Sequence, residues 1–302
     1  MSTNNRTGRK RDYVGVLSSV FAIVIGLLVG FVILLICNPS QALPGFVTIL
    51  TGAFTHGLKG VGQVFYYATP IILTGLSVGF AFKTGLFNIG TPGQFIVGAF
   101  AAVYVGIMWT GLGRIQWAVA LLAAILGGAL WGMVPGFLKA CFNVNEVIAS
   151  IMMNYIGMYM VNWIVKSYKP LFNNLRNESR NVAATAQIPK MGMDKLFPES
   201  SVGGGILLAI AAVLIIWVIL NKTTFGYELK AVGFNRDASR YAGINEKRNI
   251  IMSMVIAGAI AGMAGGLLYL AGTGKHIEIK DVLASEGFTG ISVALLGLSH
   301  PI

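Results

Sequence analysis

Apolar residues fall along this chain in long unbroken blocks, not in the alternating or 3.6-residue spacing of a half-buried surface element. The first block runs from Val14 to Ile36. Others cover roughly 63–82, 92–110, 117–139, 145–166, 203–221 and 249–271, each near the ~20 residues a helix needs to cross a bilayer. A final apolar stretch, Gly287 to Leu298, is too short to cross alone and predicts a re-entrant element or a chain cut short. The expected fold is all-α, a polytopic transmembrane helical bundle of seven to eight hydrophobic segments making one domain over residues 1–302.

The polar positions between the blocks set the topology. Arg6, Arg9, Lys10 and Arg11 precede the first block, which is too long for a signal-peptide core. They predict a cytoplasmic tail over residues 1–13 and a retained first helix. Counting crossings from there puts the 167–202 loop outside and the 222–248 loop in the cytoplasm. The second loop carries Lys222, Lys230, Arg236, Arg240, Lys247 and Arg248, but the first holds Lys169, Arg176, Arg180, Lys190 and Lys195. Orientation therefore rests on crossing parity and the basic N-terminus, not on charge bias alone. The expected location is the cell inner (plasma) membrane, multi-pass.

The 222–248 loop is a charged, helix-prone island where a short turn would suffice. Phe225 to Gly233 predicts a short helix stopped by Gly233 in a left-handed cap. Asn235 then caps a second, Arg236 to Ala242, with Asp237 in its first turn and Gly243 closing it. Such short helices need a surface to lie on. On spacing alone a partner protein and the lipid headgroups serve equally well.

Two further patterns interrupt the apolar blocks. Gly85, Gly90, Pro92 and Gly93 around Asn88 and Gln94 cannot continue a helix cheaply. They read as a cytoplasmic turn or as broken backbone lining a cavity. In the 145–166 block, Tyr155, Tyr159 and Asn162 fall at helical spacing with Met152 and Trp163, and Asn154 flanks them. Aromatics and amides of this kind can stack on and read a nucleobase, or can form an aromatic belt and interhelical hydrogen bonds. Asn145 and Glu146 suit a helix start, and Glu286 heads the last apolar stretch.

Composition removes most other classes. Of 302 residues, 55% are hydrophobic and only 11% charged, against about a quarter charged in a soluble domain. The 39 glycines suit close helix packing in lipid. The net charge of +11 is scattered over segment ends, where it meets membrane lipid, so no nucleic acid is expected as a partner. Cys37 and Cys141 lie far apart, as do His56, His276 and His300. No metal spacing, catalytic triad or phosphate-binding loop is present in the sequence, so neither enzyme activity nor a cofactor is expected.

Gly226-Tyr227-Glu228-Leu229-Lys230-Ala231-Val232-Gly233-Phe234-Asn235, with Ala238 and Ala242-Gly243-Ile244, resembles the coupling-helix signature of ABC-importer permeases. The family it is most similar to is the branched-chain amino acid, ribose and nucleoside permeases. Thr84 to Gln94 resembles the Gly-Leu-Phe-Asn-Ile-Gly-x-x-Gly-Gln phrase of its nucleoside-type members. Val144 to Ile148 with Met153 to Ile156, and Gly287 to Gly297 with Ser292 in place of the usual Ala, resemble two later phrases in the family's order.

The resemblance implies a permease subunit of an ABC importer moving a nucleoside or related sugar-containing solute. Implied partners are a cytoplasmic ATP-binding subunit, a second permease subunit and an external solute-binding lipoprotein. It assigns ATPase coupling to Gly226, Glu228, Leu229, Ala231, Val232, Gly233, Asn235, Ala238 and Gly243. The substrate pathway falls to Asn88, Gln94, Asn154, Tyr155, Tyr159 and Asn162. Family members continue through further hydrophobic segments, which implies C-terminal truncation here. The alternatives are simple-sugar or branched-chain amino acid permeases of the same architecture, an ion-coupled secondary transporter and an intramembrane enzyme. The secondary transporter should carry ionisable residues within its spans, and the enzyme should show a reactive constellation.

Overall fold

A computed structural model describes residues 5–297, with side chains from residue 16 onward; residues 1–4 of the expected tail, Leu298, His300 and Pro301-Ile302 lie outside the described residues. The chain forms α1 (Asn5–Cys37), α2 (Pro39–Thr55), α3 (Gly57–Phe82), α4 (Thr91–Met108), α5 (Gln116–Phe142) and α6 (Glu146–Ser167). A loop follows with a two-stranded ribbon, β1 (Phe172–Asn173) against β2 (Glu178–Ser179), and the single turn α7 (Met193–Leu196). Then come α8 (Gly205–Lys222), α9 (Thr224–Phe234), α10 (Arg236–Tyr241), α11 (Glu246–Tyr269) and α12 (Ser285–Leu296).

Among the described residues, seven helices are long and apolar enough to cross a membrane: α1, α3, α4, α5, α6, α8 and α11. They match the seven apolar blocks of the sequence. The helix α2 is an addition that the pattern did not announce. It contains Pro44 and at 17 residues is shorter than a crossing needs. The ring of Phe46 in α2 packs tilted against Phe31 of α1, centroids 4.9 Å apart, and α1 itself is unburied through its apolar length.

The most buried helices are α3, α4 and α11; α5 packs one face on α4 and α11 and leaves Leu122, Leu126 and Leu130 outside, and α6, α8 and α12 flank the rest. Helices in lipid gain little from hydrophobic exclusion and associate by close packing instead. Here the contact is glycine on glycine. A Cβ on Gly128 of α5 would fall 2.7 Å from the Cα of Gly262 in α11. One on Gly262 would fall 2.8 Å from the Cα of Gly128, and Gly98 of α4 would collide with Gly262 as well. The backbones are thus at van der Waals contact, and any side chain would separate the helices.

The two long loops lie at opposite ends of this bundle. Ala183 N–H donates to the Gly106 carbonyl near the end of α4 (2.9 Å), and Ile188 N–H to the Leu270 carbonyl just past α11 (2.8 Å). Lys59, at the start of α3, pairs with Glu199 at 3.2 Å. The 168–204 loop therefore caps one end, while α8 leads directly into α9 at the other. The bundle thus has a loop end and an island end.

Gly262→Leu should cost about 3 kcal/mol, the upper range for overpacking, and lower the Tm of the detergent-purified protein by several degrees. Gly30→Leu should leave Tm unchanged, because nothing lies within 4 Å of its missing side chain.

Candidate functional site

The island folds as two capped helices lying against the bundle. Thr223 Oγ1 accepts from Gly226 N–H (3.1 Å) to start α9, and Asn235 Oδ1 accepts from Ala238 N–H (3.0 Å) to start α10. Gly243, at φ +81°, ends α10 in the left-handed conformation. Leu229 and Val232 are buried and anchor α9, and Asn249 of α11 donates to Glu228 at 3.0 Å. Gly226 is buried where α9 turns off α8, with the Leu220 carbonyl 2.6 Å from where a Cβ would stand.

Gly233 departs from its expected role. It lies inside the last turn of α9, which runs on to Phe234, and Asn235 follows in extended backbone. Its φ is not positive, so it is no left-handed cap. Glycine is required there by a close approach: an added Cβ would collide with the Lys83 carbonyl and sit 3.1 Å from Gly85 N. The island thus touches, backbone to backbone, the segment that joins α3 to α4. Burial, and secondarily the charge of Lys230, hold the Lys83 ammonium below the ordinary lysine range.

The outward side of the island is open and aromatic. Tyr227, Phe234 and Tyr241 are 70%, 92% and 96% exposed. Between α9 and α10 lies a groove of about 520 Å³ lined by Ala231, Phe234, Asn235, Ala238, Ser239 and Ala242 among others. Sequence reasoning assigned Ala231, Asn235 and Ala238 here but gave the aromatics no role. Their signal was their presence in an otherwise charged loop.

The joining segment 83–90 turns back into the bundle. After α3 ends, Asn88 returns to the level of Ser77 and donates to its hydroxyl (3.2 Å). Asn88 and Gln94 are fully buried and exchange two amide hydrogen bonds, of 2.8 and 3.0 Å. Thr91 donates to the Asn88 carbonyl (2.9 Å), and Thr84 and Ser253 share a short hydroxyl contact. Asn154, also buried, accepts from Gly93 N–H (2.8 Å) and donates to the Ile89 carbonyl (3.0 Å). The three amides therefore hold a backbone that has left the helix inside the bundle. Ser150 Oγ is buried nearby, beside Gly90, with no hydrogen-bond partner among the described residues.

The tyrosines lie elsewhere. Tyr155 and Tyr159 are exposed on the outer face of α6 with Met152 and Trp163. Asn162, half-buried, donates to the Lys280 carbonyl (3.0 Å). The structure thus splits the expected pathway residues into a buried amide clamp (Asn88, Gln94, Asn154) and an open face (Tyr155, Tyr159, with Asn162 at its edge). Asn145 caps α6, and Glu146 pairs with Lys139 of α5 at 2.9 Å. Glu286 pairs with Lys275 at 2.9 Å, a partner the sequence did not suggest. At the loop end, a basin of about 750 Å³ is lined by Asn173, Arg176, Glu178, Arg180 and His276. No group of three metal-ligating side chains occurs among the described residues.

Asn88→Ala or Gln94→Ala should each cost about 1–3 kcal/mol, because the remaining amide is left buried and unpaired. The double variant should cost clearly less than the sum in thermal melts. Additive losses would show that the two amides do not act as a pair.

A family model described as "Branched-chain amino acid transport system / permease component" matches residues 60–302. The chain is 42% identical over 278 residues to the guanosine ABC transporter permease protein NupP of Bacillus subtilis, covering 92% of this chain and 78% of that one. It is 35% identical over 305 residues to the nucleoside ABC transporter permease protein NupB of Lactococcus lactis, covering 99% and 81%. A third relative, the glucose ABC transporter permease protein TsgB13 of Haloferax volcanii, is 31% identical over 85% of this chain and 67% of its own. No solved structure matches. The matched relatives are transporter components, and the seven apolar helices place the chain in a membrane. On these matches the chain belongs to the branched-chain amino acid-type family of ABC transport-system permease components.

Proposed function

We propose that this protein is a membrane-spanning permease subunit of an ABC importer for nucleosides. ATP is hydrolysed on a separate cytoplasmic subunit, an external solute-binding lipoprotein delivers the solute, and a second, homologous permease subunit completes the path. The N-terminus and the island face the cytoplasm. Support for the nucleoside comes from the two relatives named for guanosine and nucleoside transport. A simple sugar is the second reading, favoured by the relative named for glucose.

The observation that carries the coupling role is the island itself. Its inner side is anchored by Leu229 and Val232, and its outer side offers a groove flanked by the exposed rings of Tyr227 and Phe234. Exposed aromatics flanking a groove are what a protein partner would bury. The groove would receive the ATP-binding subunit, and Gly233 would pass its movement to Lys83 and Gly85. The basin at the loop end, with Arg176 and Arg180, would receive the solute-binding lipoprotein.

Proteoliposomes holding the full complex should accumulate radiolabelled guanosine only with ATP inside the cytoplasmic compartment. Competition by glucose but not by nucleosides would transfer the assignment to sugars. Uptake driven by an ion gradient without ATP would contradict the ABC reading. Phe234→Ala with Tyr241→Ala should lower co-purified ATP-binding subunit at least severalfold with Tm unchanged, since both side chains lie almost wholly in the open. Gly233→Val should cut uptake more than tenfold while the ATP-binding subunit stays bound; full uptake would remove Gly233 from the coupling role.

A further inference from the structure

The helix α12 starts inside the membrane. Thr74 donates to the Glu286 carbonyl at 3.0 Å, and Thr74 lies eight residues before the end of α3, about 12 Å from the island end. Gly287 packs on Pro92 at the start of α4, where an added Cβ would fall 2.7 Å from the Pro92 Cα. From there α12 runs toward the island end: Gly297 lines a small cavity with Gly79, Phe80 and Leu220. In contrast, α4 runs from the same level to the loop end. Two helices of opposite direction therefore meet by their N-termini within the bilayer, at Pro92 and Gly287. Broken helices of this kind mark binding sites in transporters.

To reach that level, the chain descends from the loop end without regular structure. Ile277 N–H is held by Ser179 Oγ (3.0 Å), and Lys280 by Asn162. Asp281, Val282 and Leu283 then make no backbone–backbone hydrogen bond among the described residues. Asp281 and Val282 are exposed, as are Ser285, Phe288, Thr289 and Ser292 on one side of α12. Asp281 sits toward the loop end, where Asn162 donates to its carboxylate (3.4 Å), but the unpaired peptide groups that follow descend to bilayer depth and cannot face hydrocarbon. They persist where protein buries them or water reaches them.

We infer that residues 281–292 line the solute path. Ser285, Thr289 and Ser292 present hydroxyls, and Phe288 an aromatic face, to a solute carrying sugar hydroxyls and a flat ring. The helix α6 binds the start of α4 one residue further on, through Asn154 and Gly93. The inference rests on the permease reading and names the surface over which the solute moves.

The test uses the full transport complex in sealed vesicles, with Cys37→Ser and Cys141→Ser removing the two exposed thiols. Single cysteines replace Ser285, Thr289 or Ser292, and Leu126→Cys on the outside of α5 is the lipid-facing control. A charged, membrane-impermeant methanethiosulfonate should modify position 289 at least tenfold faster than position 126, and millimolar guanosine should slow it. Equal rates at 289 and 126, in both ATP-bound and ATP-free complex, would overturn the inference. Hydrogen exchange on the unmodified complex gives a reading that needs no variant. Amides 281–284 should exchange within minutes, and protection like that of α11 would place them against protein instead. Guanosine uptake by the complex whose permease lacks Cys37 and Cys141 separates the two proposals. Transport with inert thiols sinks only the path, and reactive thiols without guanosine transport sink only the nucleoside.

Discussion

A backbone that leaves the helix within a bilayer must find hydrogen bonds there, because lipid supplies none. The rest of this structure depends on how segment 83–90 meets that demand. Asn88 and Gln94 satisfy each other, and Asn154 bonds the peptide groups of Ile89 and Gly93 on either side of the break. With the break so held, α4 can begin inside the bundle at Pro92. Its first turn is then available for Gly287 to pack on, which fixes the start of α12. Remove the amides, and α4 and α12 both lose the seat of their first turns.

The same segment is one of the places where the island touches the bundle. Gly233 rests on the backbone of Lys83 and Gly85, and a single added carbon would collide. Val232 shares a small apolar cluster with Ala81 and Leu86, the residues that bracket the turn. A force applied to the exposed side of α9 would therefore reach the segment that positions α4 and α12. The glycine contacts among α4, α5 and α11 make the core behind it stiff, since close-packed backbones cannot slide without separating.

Much of this was legible in the sequence. The seven crossings were visible because lipid demands long apolar blocks, and the Asn235 and Asn145 caps because an N-cap is a local event. The polar break was legible as a break, from its glycines and Pro92, but not as a clamp. Asn154 and Tyr155 are neighbours in sequence but point about 100° apart around α6, one buried and the other exposed, so a stripe drawn through one could not reveal the other's partner. Gly233 was misread for the same reason: a glycine near a helix end predicts a cap, whereas its actual requirement comes from Lys83 and Gly85, about 150 residues away. The Lys275–Glu286 pair and α2 were also missed. The first depends on an irregular descent that has no periodicity, and the second on a stretch interrupted by Pro44 and several hydroxyl residues.

The central claim is that the island and segment 83–90 move as one body when nucleotide binds. Spin labels at Phe87→Cys and Phe234→Cys, and a second pair at Phe87→Cys and Trp163→Cys, can be measured by pulsed dipolar spectroscopy in the assembled complex with and without ATP. The first distance should stay constant while the second shifts by several ångströms. A first distance that changes with nucleotide while the second stays fixed would contradict the account.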